Sequence, residues 1–163
     1  MSADADGAKD LGLAPMEEIA GLTGLEFLQG IVDGKYAQPG MGKTLNFRMV
    51  EVSKGIAIFE GHPGKAHLNP MGTVHGGYVS TLLDSALGCA AQTLCDRGFA
   101  STSVDLKVNM VRPIFPDTGR LICRAEIVHP GRQLTTVEGR VTDENGKLYA
   151  HGSQTCFVFK LPV

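Results

Sequence analysis

A chain of 163 residues with 43% hydrophobic content has the length of a single domain and can bury a core without disulfide or metal staples. Fifteen Lys and Arg against seventeen Asp and Glu give a net charge of −2, which argues against a nucleic-acid binder, because such a protein clusters positive charge to neutralise phosphates. Nowhere do 18 apolar residues run together, and the opening MSADADGAKDLGLAP has neither a basic start nor an apolar stretch, so a cytoplasmic protein with no membrane and no nucleic-acid partner is expected.

Residues 1–14 read as a flexible tail and 15–163 as one domain. Pro15 suits a first helical position and opens the short turn PMEEIAG. In TGLEFLQGIVDG, Thr23 and Glu26 stand in capping-box spacing, and Leu25, Phe27, Leu28, Ile31 and Val32 share one face, so a second short helix is predicted. The following KYAQPGMGK reads as a loop. Its GMGKT is similar to the tail of a phosphate-binding loop, but Ala37 stands where the first glycine belongs and a strand follows instead of a helix. TLNFRMVEVS and GIAIFEG then form a predicted hairpin around Ser53–Gly55.

Apolar residues at 79, 82, 83, 86, 87, 90, 91 and 94 predict a long helix from about His75 to Cys95. Beyond it the chain reads as strand. STSVDLKVNMVRP alternates Thr102, Val104, Leu106, Val108 and Met110 against Ser103, Asp105, Lys107 and Asn109, a half-buried antiparallel strand. GRLICRAEIVH turns at Pro130–Gly131 into LTTVEGRVTD, and Asn145–Gly146 makes the next hairpin into LYAHGSQTCFVFKL. Two strands, a helix and four strands make an α+β domain with an antiparallel sheet packed on one helix.

The start of the long helix carries chemistry. The first turn of a helix has unpaired N–H groups and the positive end of the macrodipole, and Gly76–Gly77 let a ligand carbonyl approach that backbone closely. Asp84 lies among the small residues Ser80, Thr81, Ser85 and Gly88, which leave room for a substrate. The histidines 62, 67 and 75 with Asp84 match no familiar metal-site spacing, so no metal is expected. Cys89, Cys95, Cys123 and Cys156 form no C-x-x-C pair and read as reduced, buried thiols.

Asn69, then His75-Gly76-Gly77 six residues on, then Asp84 nine past the histidine, followed by SVDLKVNMVRP and the Gly131–Arg132 turn, together resemble the hot-dog-fold acyl-CoA thioesterases. The likeness runs over residues 40–160 and is greatest to the PaaI-type group and the related 4-hydroxybenzoyl-CoA thioesterases. It implies a hot-dog fold, a six-stranded antiparallel sheet wrapped around one long central helix with short N-terminal helices. It also implies roles. Gly76 would donate its N–H to the thioester oxygen, Asn69 would hold substrate or water, His75 would orient that loop, Asp84 would act as nucleophile or base, and Ser103 would assist. Gly77 and Gly131 would border the substrate, and Lys107, Arg112 and Arg132 would meet the phosphates of coenzyme A, which enters as part of the substrate with no further cofactor. Where the 4-hydroxybenzoyl branch has a threonine four residues past its acid, this chain has Gly88, which favours the PaaI-type arrangement.

Elementary chemistry agrees with a thioester target. Negative charge develops on the carbonyl oxygen, where preorganised N–H donors act most strongly, and thiolate leaves without a strong acid at sulfur. The acyl group stays open between aryl and medium-chain aliphatic, with no Trp and 6% aromatic residues. Gly76 and Asp84, eight residues apart on one helix, lie about 12 Å apart along its axis. Either one of them is idle or the site combines two chains; the resemblance implies the second, a homodimer pairing Asn69 and Gly76 of one copy with Asp84 of the other as the minimal unit and a dimer of dimers as the tetramer. The alternative is a hot-dog protein that binds an acyl thioester or small hydrophobic ligand without hydrolysing it.

Overall fold

The computed structural model describes residues 14–162, so the expected tail over 1–14 lies outside the described residues except for Ala14. Three short helices come first: α1 (Met16–Ala20), α2 (Gly24–Val32) and α3 (Gly40–Leu45). The capping box at α2 is formed as its spacing predicts, with Glu26 N–H donating to Thr23 Oγ1 at 3.2 Å and Thr23 N–H to Glu26 Oε2 at 2.8 Å. The α3 segment, expected as loop to Lys43 and as strand from Thr44, coils into a helix that Asn46 ends in the left-handed region at φ 54°. Its two glycines and lack of apolar repeat concealed it; Gly42 is required because a Cβ there would stand 2.6 Å from the Phe47 carbonyl oxygen.

Strands β1 (Phe47–Ser53) and β2 (Ile56–Gly61) make the expected hairpin. The long helix α4 spans Gly76–Gln92 with His75 as its N-cap. It stops short of Cys95 because the N–H groups of Leu94 and Cys95 turn to the i−3 carbonyls of Ala91 and Gln92, and at that end Thr93 donates its hydroxyl to the Ala90 carbonyl at 2.6 Å and accepts the Gly55 N–H of the β1–β2 turn at 2.7 Å. Then follow β3 (Phe99–Ser103), β4 (Lys107–Met110), β5 (Leu121–Pro130), β6 (Leu134–Asp143) and β7 (Leu148–Lys160). The sheet runs β1-β2-β5-β6-β7-β3, with β4 also on β7, and every pairing is antiparallel. It wraps one face around α4, where Leu82, Leu83, Ala86, Leu87, Ala90 and Ala91 have no solvent exposure. Each buried leucine contributes about 2 kcal/mol of apolar transfer.

Seven strands stand where six were expected, because the segment read as one strand over 101–113 is broken. Residues 99–103 pair with β7 so that Ser103 faces Cys156, whereas in β4 Lys107 faces Ser153. Pairing sums that differ by one mean that the strand changes phase at Val104–Leu106. Directly paired residues share a face, so Ser103 lies with the buried Cys156, and Val108 and Met110 lie with the buried Gly152 and Ala150. An unbroken strand would have turned either Ser103 or Met110 away from α4. The break is held from the side: Asp105 Oδ1 accepts the Thr155 N–H at 2.9 Å, supplying the acceptor that a continuous ladder would have given. The alternation read from sequence is thereby altered, and Val104 and Leu106 are left 57% and 38% exposed.

Asp105→Ala should lower stability by about 1 kcal/mol, the cost of one charge-assisted backbone bond at an exposed position, while Asp105→Asn stays near the parent. Urea unfolding of the two variants checks this; equal midpoints would show that the break is held by something else.

Candidate active site

The N-terminus of α4 is prepared by its own cap. His75 Nδ1 accepts the Gly77 N–H at 2.8 Å, and the His75 carbonyl accepts the Tyr78 N–H at 3.0 Å. Gly76 N–H, first in the helix, meets no acceptor among the described residues. It opens on a cleft of about 290 Å³ bordered by Asn69, Met110, Arg112 and Tyr149. A Cβ on residue 76 would stand 2.7 Å from Met110 Cε, so glycine here lets the strand and the helix terminus share the cleft. Asn69 is heavily committed to its own turn: Oδ1 accepts the N–H groups of Met71 at 2.9 Å and Thr73 at 3.2 Å, and Nδ2 donates to Thr73 Oγ1 at 2.8 Å. One Nδ2 hydrogen is left over to face the cleft.

Two turns along α4 lies a second cluster. Asp84 Oδ1 accepts from Ser103 Oγ at 3.0 Å and from Gln154 Nε2 at 2.8 Å, and Gln154 Nε2 also reaches Ser103 Oγ. Asp84 Oδ2 accepts from no group among the described residues. Ser103 is thus where the motif suggested, but Gln154 was missed. Its signal was present in β7, where Ala150, Gly152, Gln154 and Cys156 alternate inward and a glutamine interrupts small core residues.

The cysteines form no disulfide. Burial first, then the charge of Asp84, pushes the Cys89 thiol up to about 12 and the Cys156 thiol up to about 11, so neither is a thiolate nucleophile near neutral pH. A groove of about 480 Å³ runs from Ser103 past Gly88 and Cys89 to Met16, Ile19 and Phe27 of the N-terminal helices. A Cβ on Gly88 would touch nothing within 4 Å, so the glycine leaves that groove wide.

Within one chain the structure does not gather all the residues singled out from the sequence. Asn69 and Gly76 border one cleft; His75 and Gly77 border a neighbouring one with His67 and Tyr78; Asp84 and Ser103 form the second cluster. The three cations are dispersed. Arg112 stands on the rim of the Gly76 cleft with Nη1 on the Leu148 carbonyl at 2.5 Å, and Lys107 lies on the outer sheet face with Arg124 and Arg140. Arg132 is exposed on the β5–β6 turn, where Gly131 is required because a Cβ would come within 2.1 Å of the Leu134 carbonyl oxygen. Among the described residues no group of three or more His, Cys, Asp or Glu converges to hold a metal, and no helix is long and apolar enough to cross a membrane.

Known proteins resemble this chain in sequence and share its fold. A family model described as Thioesterase superfamily matches residues 71–150. The mouse (Mus musculus) acyl-coenzyme A thioesterase 13 is 28% identical over 130 residues, 78% of this chain and 91% of that protein. A thioesterase family protein from Silicibacter pomeroyi superposes with a TM-score of 0.72 at 30% identity, covering 81% of this chain and 98% of its own. The smu.793 protein from Streptococcus mutans UA159, solved bound to acetyl CoA, superposes with a TM-score of 0.64 at 29% identity, covering 71% of this chain and 90% of its own. With its antiparallel sheet wrapped around one long helix and these relatives along nearly their whole lengths, the chain belongs to the thioesterase superfamily and is a thioester hydrolase.

Proposed function

We propose that the chain hydrolyses aryl- or medium-chain acyl-CoA to the free acid and coenzyme A, at sites each built from two copies of itself. One observation carries the reading: Gly76, with its open N–H, and Asp84, with its unengaged Oδ2, stand about 12 Å apart along one rigid helix. A reacting carbon must lie within ~3.5 Å of its nucleophile, so it cannot meet both ends of that span. A two-fold dimer that sets Asn69 and Gly76 of one copy against Asp84 of the other resolves this and gives two equivalent sites. The open sheet edge supports such pairing, since β3 and β4 end the sheet and the adjoining Val104, Leu106 and Val111 are 57%, 38% and 46% exposed. Two such dimers would compose a tetramer.

In that site Gly76 N–H donates to the thioester oxygen as it gains charge, aided by the positive end of α4. His75 keeps the first turn in place by holding Gly77 N–H. Asp84 Oδ2 either takes a proton from the attacking water or attacks the carbonyl carbon itself, giving an anhydride that water then opens. Both routes break the C–S bond with the electron pair leaving on sulfur. Ser103, through its hydrogen bond to Oδ1, holds the acid. The groove beside Gly88 accepts the acyl group, and its apolar lining by Met16, Ile19 and Phe27 suits aryl or medium-chain groups. The acetyl CoA bound to the Streptococcus relative supports coenzyme A as the carrier, with Arg132 and Arg112 as the cations for its phosphates and Lys107 further out on the sheet.

Asp84→Asn should fold normally and lose ~10²-fold or more in turnover, because an amide keeps the shape but cannot act as base or nucleophile. Gly76→Pro removes the donor at little cost to the backbone: His75 already has the extended ψ of 138° that a residue before proline requires, proline is tolerated at a first helical position, and the added Cβ asks only the flexible end of Met110 to shift. If both variants are inactive alone, co-refolding equal amounts should restore about a quarter of the parent activity, because half the dimers are mixed and each of those has one intact site. No recovery despite verified subunit exchange would place donor and acid in a single chain. Separately, Arg132→Ala should raise KM for acyl-CoA several-fold while leaving an acyl-pantetheine thioester unaffected; equal effects on both would rule out a phosphate contact.

A further inference from the structure

Gln154 is the one glutamine of the described core, 1% exposed on the inward face of β7, opposite the break between β3 and β4. Its amide is used on one side only. Nε2 spends its hydrogens on Asp84 Oδ1 and Ser103 Oγ, whereas Oε1 is buried with no hydrogen-bond partner among the described residues. Turning the amide over would set its oxygen against the carboxylate oxygen, so the orientation is fixed by the acid. A buried acceptor without a partner destabilises a fold, and an apolar residue of the same length would remove that defect. The fold therefore carries an unsatisfied oxygen at a place where methionine would fill the same space.

We infer that Gln154 is a positioning residue for thioester hydrolysis, retained at a cost in stability because its amide, together with Ser103, pins Asp84 by Oδ1 and leaves Oδ2 free to face the substrate. The inference rests on the reading of Asp84 as base or nucleophile. Two donors converging on one carboxylate oxygen fix the rotation of the side chain, and without them Asp84, which is half-buried and flanked by the small residues Ser85 and Gly88, is free to swing into rotamers that miss the carbonyl carbon. Ser103 alone is a weaker clamp, because it is exposed and its hydroxyl rotates. Gln154, 1% exposed, does not border the groove, whereas Ser103, which its amide reaches, does.

The test is Gln154→Met, close in length and volume and unable to donate. Its melting temperature should equal or exceed that of the parent, kcat should fall ~10-fold or more, and KM should stay within about threefold, since the groove and the phosphate contacts are untouched. Gln154→Met and Asp84→Asn should also fail to add, the double variant turning over no more slowly than Asp84→Asn alone. A Gln154→Met that melts lower than the parent, keeps its kcat, or loses KM and kcat together overturns the inference, as does a double variant in which both losses multiply. If Asp84→Asn by itself remains active, the reading of Asp84 fails first, and that result is separate from the behaviour of Gln154→Met in the parent background.

Discussion

The carboxylate of Asp105 accepting the Thr155 N–H is a single bond at the surface, yet the placement of the site depends on it. The edge of a sheet must satisfy β7's donors along its whole length, and a strand that simply ran on would do so with backbone carbonyls alone. Substituting a side-chain oxygen for one of them lets the strand change phase between Ser103 and Lys107. With the phase change, β3 delivers Ser103 to Asp84 and β4 delivers Met110 to Gly76, so one edge of the sheet serves both ends of the same helix. The core under α4 is tolerant of this, because Gly139 and Gly152 sit beneath Leu83 and Leu87, where a Cβ would come within 3.4 Å of a leucine methyl.

Rigidity follows from that packing and sets the chemistry. The face of α4 that carries Leu82, Leu83, Ala86 and Leu87 is closed to solvent, so the helix cannot rotate to bring Asp84 nearer Gly76. Its N-terminal N–H groups are spent unequally: the Gly77 donor is occupied by His75 and the Gly76 donor is open. The open donor and the carboxylate are thereby kept apart at fixed distance, which in the proposed site keeps the carboxylate from occupying the donor assigned to the substrate oxygen. Burial raises the neighbouring Cys89 and Cys156 thiols, and the charge of Asp84 adds to it.

The helices at Thr23 and His75, the hairpins and the succession of elements along the chain were legible because each rests on a local rule: the 3.6-residue apolar repeat over 79–91, the Thr23–Glu26 box, the Asn145–Gly146 turn. The short helix over Gly40–Leu45 and the break at Val104–Leu106 were not, because both are set by distant partners, the Phe47 carbonyl against Gly42 and the Thr155 N–H against Asp105. At the site, His75, Gly76, Asp84 and Ser103 could be read from spacing and resemblance. Asn69 was read as facing substrate, yet three of its hydrogen bonds close its own turn, a commitment that only the folded loop reveals. Gln154 escaped because its signal, a glutamine among the small inward residues of β7, names no partner; its meaning depends on Asp84, 70 residues earlier in the chain.

Polar groups buried in a core normally find partners, and the described core has few exceptions, among them Tyr78 Oη and Gln154 Oε1. The two differ in what surrounds them. Tyr78 stands over Gly61, where a Cβ would come within 2.5 Å of its hydroxyl, and its ring meets Phe47 and His67, so the phenol is there as an aromatic body that fills space at the helix start. Gln154 fills a space that several apolar side chains would fit, and its one engaged end points at the carboxylate. Packing accounts for the first exception and leaves the second unexplained. A defect that packing does not require, located one bond from the acid, is what a fold retains when positioning a reactive group outweighs the stability lost in doing so.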